Sequence, residues 1–237
     1  HNSETGVSKG FGNVVFNDSL NKNALLCGHL EYNDKTGYGF ATQQALMKDF
    51  SQPDTLYVHA DTLKMYTYNI DTDSVYRVVH GFDKVKAYRR DVQAVCDSMV
   101  FTSIDSCLTL YRDPIAWSGE RQLLGDQMKI YMNDSTVREA HVIGNTLSVE
   151  KVDNENHYNQ VAAKLINAYF IDGAIRQTVC IGNVETVFYP QDDKDSTLTG
   201  LNYLETDTLR MYMSAQRQLE KIWTPRAQGT MFPMTQI

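Results

Sequence analysis

A short motif that recurs along the chain most strongly constrains how this sequence can fold. The motif begins with a small or polar residue and an aspartate, then alternates apolar with polar residues. It occurs at residues 60–66, 96–101, 125–131 and 206–212, and a weaker copy at 163–167 lacks the aspartate. Such recurrence is typical of repeat proteins, in which each unit buries its apolar face against its neighbours.

Within each copy the apolar residues lie two positions apart, which is the periodicity of a β-strand. The pairs are Leu63 and Met65, Met99 and Phe101, Met128 and Ile130, and Leu209 and Met211. Residues two apart share one face of a strand, whereas a helix would scatter them around its circumference. The pattern therefore predicts strands, with the intervening Lys64, Lys129 and Arg210 on the opposite face.

A second recurring element, a glycine beside alternating apolar residues, lies between the copies. It occurs around Gly28, Gly81, Gly144 and Gly182. Glycine inside a strand pattern usually marks a bulge, a bend or a close approach of two backbones. Each unit thus combines a kinked strand, a turn and an aspartate-initiated strand with its hairpin partner. The prediction is an all-β fold, an elongated β-jelly-roll or solenoid-like stack of antiparallel strands.

Composition agrees with a β fold of one large or two ordinary domains. The 237 residues include 14 Tyr and 9 Phe but only 5 Pro, and aromatic side chains favour strands. Only residues 42–50 and 214–222 show a helical pattern, and both segments are short. The charged stretch 192–196 is the best candidate for a flexible loop.

Charge and hydropathy exclude two classes of protein. The net charge of -7 argues against a nucleic-acid groove, which needs clustered positive charge. No run of apolar residues approaches the roughly 18 that a membrane-spanning helix requires. The chain starts at His1, which is consistent with a signal peptide that has already been removed.

Four cysteines are predicted to be buried free thiols that behave as small apolar residues: Cys27, Cys96, Cys107 and Cys180. They form no CxxC pair, so the spacing does not indicate a zinc site. The register of the predicted hairpin argues against a disulfide between Cys96 and Cys107. A turn at residues 104–105 pairs Phe101 with Leu108 and leaves Cys96 well past Cys107.

The sequence shows no motif for catalysis, and no enzymatic activity, metal or cofactor is expected. Asp61, Asp97, Asp126 and Asp207 recur at the starts of equivalent strands. That placement favours a structural role, in which each carboxylate accepts hydrogen bonds from backbone N–H groups at a turn. The apolar face itself is open to two interpretations, a packed core or an adaptable surface rich in methionine.

The residues also resemble a known family, the OstA-like proteins of lipopolysaccharide transport. The resemblance lies in the run Asp54-Thr-Leu-Tyr-Val-His-Ala-Asp-Thr-Leu63 and in residues 96–98, 113–118 and 124–128. It covers residues 24–222. Residues 1–23 are then an N-terminal extension, and 223–237 are a C-terminal tail that belongs to a longer chain.

This resemblance implies a periplasmic β-jelly-roll, with association with the outer membrane as a further option. It also implies lipopolysaccharide as ligand, with the lipid A acyl chains held between two sheets. The expected partners are other transport components, joined through terminal strands, and further copies in a head-to-tail homo-oligomer. Strand parity places the lipid-binding residues on the inward face: Leu63, Met65, Met99, Phe101, Leu108, Leu110, Met128, Ile130, Leu209 and Met211.

Two other functions stay open at this point. A closed, fully packed interior would make the protein a non-catalytic scaffold of the envelope. A carbohydrate-active β-solenoid enzyme would require carboxylates that converge in a groove. The resemblance also does not distinguish a bridge protein from a fragment of an outer-membrane component or a paralogue.

Overall fold

The computed structural model describes residues 1–20, 22–133, 136–153, 156–192, 197–216 and 218–234. These residues contain eighteen strands, and the strand pairings with an assigned register are antiparallel. None of the described residues lies in an α-helix, and none forms a helix able to cross a membrane. The prediction of an all-β stack of antiparallel strands is confirmed.

The chain divides into two compact units. Unit 1 comprises His1–Ala116 and Lys129–Ser135, and unit 2 comprises Trp117–Met128 and Thr136–Ile237. The first nine strands are β1 (Val7–Asp18), β2 (Asn23–Asn33), β3 (Tyr38–Asp49), β4 (Leu56–Tyr68), β5 (Tyr76–Phe82), β6 (Val85–Arg89), β7 (Val92–Cys96), β8 (Ser98–Thr102) and β9 (Cys107–Tyr111). The others are β10 (Ile115–Ser118), β11 (Arg121–Leu124), β12 (Gln127–Asn133), β13 (Thr136–Lys151), β14 (Tyr158–Ile171), β15 (Ala174–Phe188), β16 (Gly200–Met213), β17 (Leu219–Trp223) and β18 (Ala227–Pro233).

In unit 1, long strands pair in chain order and then divide. Strands β1, β2, β3 and β4 form a continuous meander. The C-terminal part of β4 pairs with β5, and its N-terminal part pairs with β6. Strand β5 pairs with β8, and β8 pairs with β9, whereas β6 pairs with β7. The long strands therefore contribute to two arms of sheet, which separate where β5 gives way to β6.

In unit 2, β13 to β16 are again long strands that pair in chain order. Strand β13 also pairs with β11 through its C-terminal part. At the other side, β16 pairs with β18 through residues 200–206 and with β17 through residues 210–213. Unit 2 thus has the same plan as unit 1, with long strands that serve both arms and shorter strands that serve one.

The arms meet at a line of β-bulges, which explains the repeated aspartate. Between β3 and β4, residues 43–44 lie opposite the single residue Asp61. Between β15 and β16, residues 182–183 lie opposite Asp207 in the same way. All four residues on the two-residue side have positive φ. Two left-handed residues against one extended residue bend the strand, so the motif marks the bend.

The aspartate carboxylates interact with side chains at these bulges. Asp61 accepts a hydrogen bond from the Thr62 hydroxyl at 3.1 Å, and Asp97 pairs with Arg112 at 3.0 Å. Asp126 accepts from the Asn145 amide at 3.1 Å. Among the described residues, the predicted backbone N–H donors are not the partners of these three groups. Thr62 follows Asp61 in the same strand, whereas Arg112 and Asn145 come from other segments of the chain.

The predictions for the cysteines agree with the structure. All four are buried free thiols. The β8–β9 hairpin pairs Phe101 with Leu108, as the turn at residues 104–105 requires. Cys96 lies opposite Val85 in the β6–β7 hairpin, away from Cys107.

The segments that flank residues 24–222 contain strands of their own. Strand β1 pairs with β2, and β18 pairs with β16. The division at residues 24 and 222 stays a prediction. Of the segments with a helical pattern, residues 42–49 belong to β3 and 219–222 to β17. Residues 193–196 of the expected loop lie outside the described residues.

A further bulge lies in β13, where residues 144–145 interrupt the register with β14, and a glycine substitution tests it. Gly144 has a φ of +72°, and a methyl group there would overlap the Asp126 carboxylate. Gly173 has the same φ of +72° with nothing within 4 Å of the added methyl group. Both alanine variants lose about 1–2 kcal/mol from the left-handed backbone. We expect Gly144→Ala to lose about 1–3 kcal/mol more, because the crowded bulge must shift.

The free energy of unfolding, measured with urea for both variants and the native chain, decides this point. Equal destabilisation of the two variants would show that Asp126 does not constrain the bulge.

Candidate functional site

Strand register aligns the candidate residues of unit 1 in two rows across the sheet. Row 1 of unit 1 contains Leu30, Ala41, Leu63, Gly81, Met99 and Leu110. Row 2 of unit 1 contains Tyr32, Gly39, Met65, Val79, Phe101 and Leu108. Six of the ten predicted residues therefore share one face, which we call the inward face of unit 1.

Exposure increases from the first row to the second. In row 1, Leu63, Met99 and Leu110 are 7%, 5% and 2% exposed. Their neighbours in row 2, Met65 and Phe101, are only half-buried. Row 1 lies next to the bulges and row 2 lies one step farther out along the strands. The inward face is therefore closely packed at the bend and accessible beyond it.

Two further candidates lie in β12. The Met132 amide donates to the Ser106 carbonyl at 3.0 Å, and this register places Ile130 opposite Leu108. Ile130 is half-buried, like the row 2 residue beside it. Met128, which belongs to unit 2, is 2% exposed.

Unit 2 has equivalent rows on its own inward face. Row 1 of unit 2 contains Val142, Ile166, Cys180 and Leu209. Row 2 of unit 2 contains Ala140, Ala168, Thr178, Met211 and Ile222. Leu209 is 3% exposed and Met211 is half-buried, whereas Ala168 and Thr178 in the centre of row 2 are buried, at 7% and 9% exposed. The structure places two of the three predicted residues of this unit, Leu209 and Met211, on one face.

The sequence motif revealed only part of each row. Val142 and Ile166 are 1% and 3% exposed, yet neither belongs to an aspartate motif with the full pattern. They come from the glycine-bearing strand β13 and from the weak copy in β14. The alternation around Gly144 is the signal that identifies Val142, because that strand also has a period of two.

The basic residues of the motif lie on the opposite face, as their parity predicts. The Lys64 ammonium lies over the rings of Phe40 and Phe82, at 5.9 Å and 5.5 Å from the ring centroids. The Arg210 guanidinium lies 5.1 Å from the Trp223 ring. These contacts are cation–π interactions on the outer surface, remote from the apolar rows.

Burial changes the acid–base properties of two thiols. Burial raises the pKa of Cys180 to about 12, and it raises the pKa of Cys96 to about 11. Both thiols are therefore protonated at neutral pH and unreactive as nucleophiles. Cys180 acts in row 1 of unit 2 as a small apolar side chain.

One surface cleft in unit 2 does not coincide with the apolar rows. It measures about 470 Å³ and lies beside Glu185, Glu205, Asp207 and Arg226. Glu205 accepts a 2.5 Å hydrogen bond from Tyr203, which raises the Tyr203 pKa to about 12. Within the described ranges, no three His, Cys, Asp or Glu side chains form a group that could hold a metal ion.

Comparison with known proteins yields a distant likeness in structure only. No protein-family model matches the chain, and no curated protein matches its sequence. Among solved structures, the chain is similar to LptH from Pseudomonas aeruginosa, described as the LptA-homologous periplasmic component of the lipopolysaccharide transport device. The identity is 11% and the TM-score is 0.43, over 59% of this chain and 92% of LptH. So distant a likeness assigns neither a family nor a function, and OstA-like membership stays a prediction.

The raised pKa of Cys180 predicts a loss of stability at alkaline pH. The unfolded thiol releases its proton near pH 9, whereas the folded thiol keeps it until about pH 12. The unfolded state binds fewer protons in this window, so the free energy of unfolding falls as pH rises through it. We expect the native chain to lose more stability between about pH 8.5 and 10.5 than Cys180→Ala, in urea unfolding at each pH. Parallel curves would contradict the assignment.

Proposed function

We propose that the chain is a non-catalytic carrier that holds lipid acyl chains along its inward apolar rows. One observation carries the proposal, the half-buried large apolar side chains in the second row of each unit. A core residue of a closed domain is covered by neighbours, whereas Met65, Phe101 and Met211 keep part of their apolar surface accessible. Contiguous accessible apolar surface in a folded protein marks a site for an apolar partner.

The energetics fit a carrier that must bind and release. Each acyl methylene that the rows cover contributes up to about 0.8 kcal/mol, so affinity grows with the length of chain in contact. Met65 and Met211 have flexible, polarisable side chains that adjust to acyl chains of different shape. No chemical step and no cofactor enters this function.

The identity of the lipid is the more specific part of the proposal. The OstA-like sequence resemblance supports lipopolysaccharide, with its lipid A portion on the rows, and a periplasmic location. Association with the outer membrane belongs to the same proposal, as does transfer to other components of lipopolysaccharide transport.

The terminal strands supply the proposed contacts with neighbouring subunits. Strand β1 exposes Phe11 and Val15 at 72% and 60%, and β18 exposes Met231 and Phe232 at 56% and 43%. Strands pair edge to edge through backbone hydrogen bonds, and apolar side chains on both partners become buried when they do. We propose that β1 of one copy and β18 of another associate head to tail, or that other transport components pair there.

A structural scaffold is the second candidate function. The residues of row 1 favour it, because Leu110 and Val142 are only 2% and 1% exposed, as in a packed core. A scaffold does not require accessible apolar side chains in row 2. Whether lipid reaches these side chains therefore distinguishes the two functions. No observation favours a carbohydrate-active enzyme, since Asp61, Asp97 and Asp126 lie in separate copies of the motif and have different side-chain partners.

Photo-crosslinking of adjacent residues distinguishes the carrier from the scaffold. A photoreactive residue replaces Met65 or Met211 on the inward face, and Lys64 or Arg210 serves as the matched outward control. With purified lipopolysaccharide, we expect lipid adducts at positions 65 and 211 and few at 64 and 210. The reason is that strand neighbours project to opposite faces.

The adducts are detected as lipopolysaccharide-positive, slower bands on gels. Absence of adducts from all four positions in folded protein would support the scaffold instead.

Self-association tests the role of β18. The double variant Met231→Lys/Phe232→Lys places two charges where the proposed strand contact buries apolar surface. We expect it to remain monomeric at concentrations where the native chain associates, as measured by sedimentation velocity. The control Gln228→Lys adds a charge at an exposed polar position of the same strand and should associate like the native chain. Identical behaviour of all three proteins would exclude β18 from the interface.

A further inference from the structure

The outer face of unit 1 carries a connected set of aromatic rings on strands β1 to β5. These residues alternate along the strands with the members of rows 1 and 2 of unit 1, so they project to the opposite side of the sheet. We call the set the ring array, and its members are Phe11, His29, Phe40, Tyr66, His80 and Phe82.

On β1 to β3 the rings of the array contact each other directly. The Phe11 ring stacks on the His29 ring with centroids 4.6 Å apart and an angle of 21° between the ring planes. His29 and Phe40 meet edge to face, with centroids 5.9 Å apart. Cross-strand ring pairs stabilise a sheet, yet Phe11 stays 72% exposed. This end of the array therefore keeps ring surface available to a partner.

On β3 to β5 a lysine connects the rings. The Lys64 ammonium lies over both Phe40 and Phe82. Phe82 stacks on His80 with centroids 5.9 Å apart, and His80 meets Tyr66 at 5.5 Å. Phe82 is 37% exposed. Five neighbouring strands at a spacing of about 4.8 Å span roughly 19 Å, so the array presents an extended surface and not a single contact point.

Hydrogen-bonding groups lie among the rings on the same face. The Lys9 ammonium pairs with the Glu31 carboxylate at 3.0 Å, and both side chains are partly exposed. The hydroxyls of Thr42 and Thr62 share a hydrogen bond of 2.9 Å. The face therefore alternates apolar ring surface with polar and charged groups.

This mixture restricts the chemistry of a partner. An acyl chain on the array would remove Lys9, Glu31 and Lys64 from water without new hydrogen bonds, and burial of charged groups in apolar surroundings is costly. Charged residues are likewise depleted at the centres of protein–protein interfaces. A pyranose sugar meets both requirements. Its C–H bonds are attracted to the negative face of an aromatic ring, and its hydroxyls replace water at ammonium and carboxylate groups.

We propose that the ring array binds an extended polysaccharide of equatorially linked pyranoses, the linkage found in cellulose and chitin. Such a chain forms a flat ribbon that exposes the apolar faces of its sugars, and one pyranose unit is about as long as the ~4.8 Å spacing of strands. The ribbon lies across β1 to β5, with sugars on the rings and hydroxyls at Lys9, Glu31 and Lys64. This second binding function uses the face opposite rows 1 and 2, so it is independent of the proposed carrier.

Calorimetric titration of the full chain with three hexasaccharides tests the proposal. Cellohexaose and chitohexaose share the equatorial linkage and differ in one substituent, a hydroxyl or an acetamido group. Maltohexaose has the composition of cellohexaose, but its axial linkages coil the chain.

Two pairs of substitutions locate the site. The variant Phe11→Ser/Phe82→Ser removes the two most exposed rings of the array. The control Tyr57→Ser/Tyr88→Ser removes another pair of exposed rings in unit 1, whose centroids are 6.4 Å apart. The variant Phe11→Tyr/Phe82→Tyr keeps both rings of the array. Unfolding midpoints in urea confirm that each variant is folded.

We expect the native chain to bind cellohexaose or chitohexaose and to bind maltohexaose about tenfold or more weakly. The serine variant of the array should lose about tenfold or more in affinity, because two ring contacts with the sugars are removed. The tyrosine variant and the Tyr57/Tyr88 control should bind as tightly as the native chain.

The remaining outcomes overturn specific parts of the proposal. Failure of cellohexaose and chitohexaose to bind would overturn the polysaccharide site and would leave the carrier on the other face untouched. Equal affinity for maltohexaose would overturn the extended ribbon. An equal loss of affinity in the Tyr57/Tyr88 control would overturn the assignment to the ring array.

Discussion

The rest of the structure depends on one kind of β-bulge, in which two residues with positive φ on one strand lie opposite a single aspartate on the next. It recurs in both units, at residues 43–44 opposite Asp61 and at residues 182–183 opposite Asp207. A strand that passes through such a bulge changes direction without ending. One long strand can therefore serve two arms, and row 1 forms where the arms meet. Without the bulges the same strands would extend as one sheet with nothing to cover its apolar face.

This arrangement explains how one apolar face can be both stable and accessible. The row beside the bulges is almost fully covered and supplies burial for folding, as Leu110 and Val142 show at 2% and 1% exposed. The next row is outside the crowded bend and keeps apolar surface in reach of solvent. Packing and binding thus occupy successive positions on the same strands. Replacement of a row 1 residue acts on stability, whereas replacement of a row 2 residue acts on the proposed binding.

Much of this organisation follows from sequence period alone. Alternation in the aspartate motif predicts the shared face of Leu63 and Met65, and turn geometry predicts the pairing of Phe101 with Leu108. The register between distant strands does not follow, because it depends on bulges whose positive φ values fall on residues such as Gln43 and Gln44. Glutamine carries no local signal for that conformation.

The exclusive use of neighbouring antiparallel strands for the rows has a consequence for how such a chain can change in length. Strands β13 to β16 each contribute one residue to row 1 of unit 2, and each pairs with the next along the chain. Duplication of a hairpin with its bulge would lengthen the row by two positions and would require no redesign of the others. Deletion would shorten it in the same increments. Gain or loss of single hairpins in the gene is therefore a simple route by which the length of the apolar row can change.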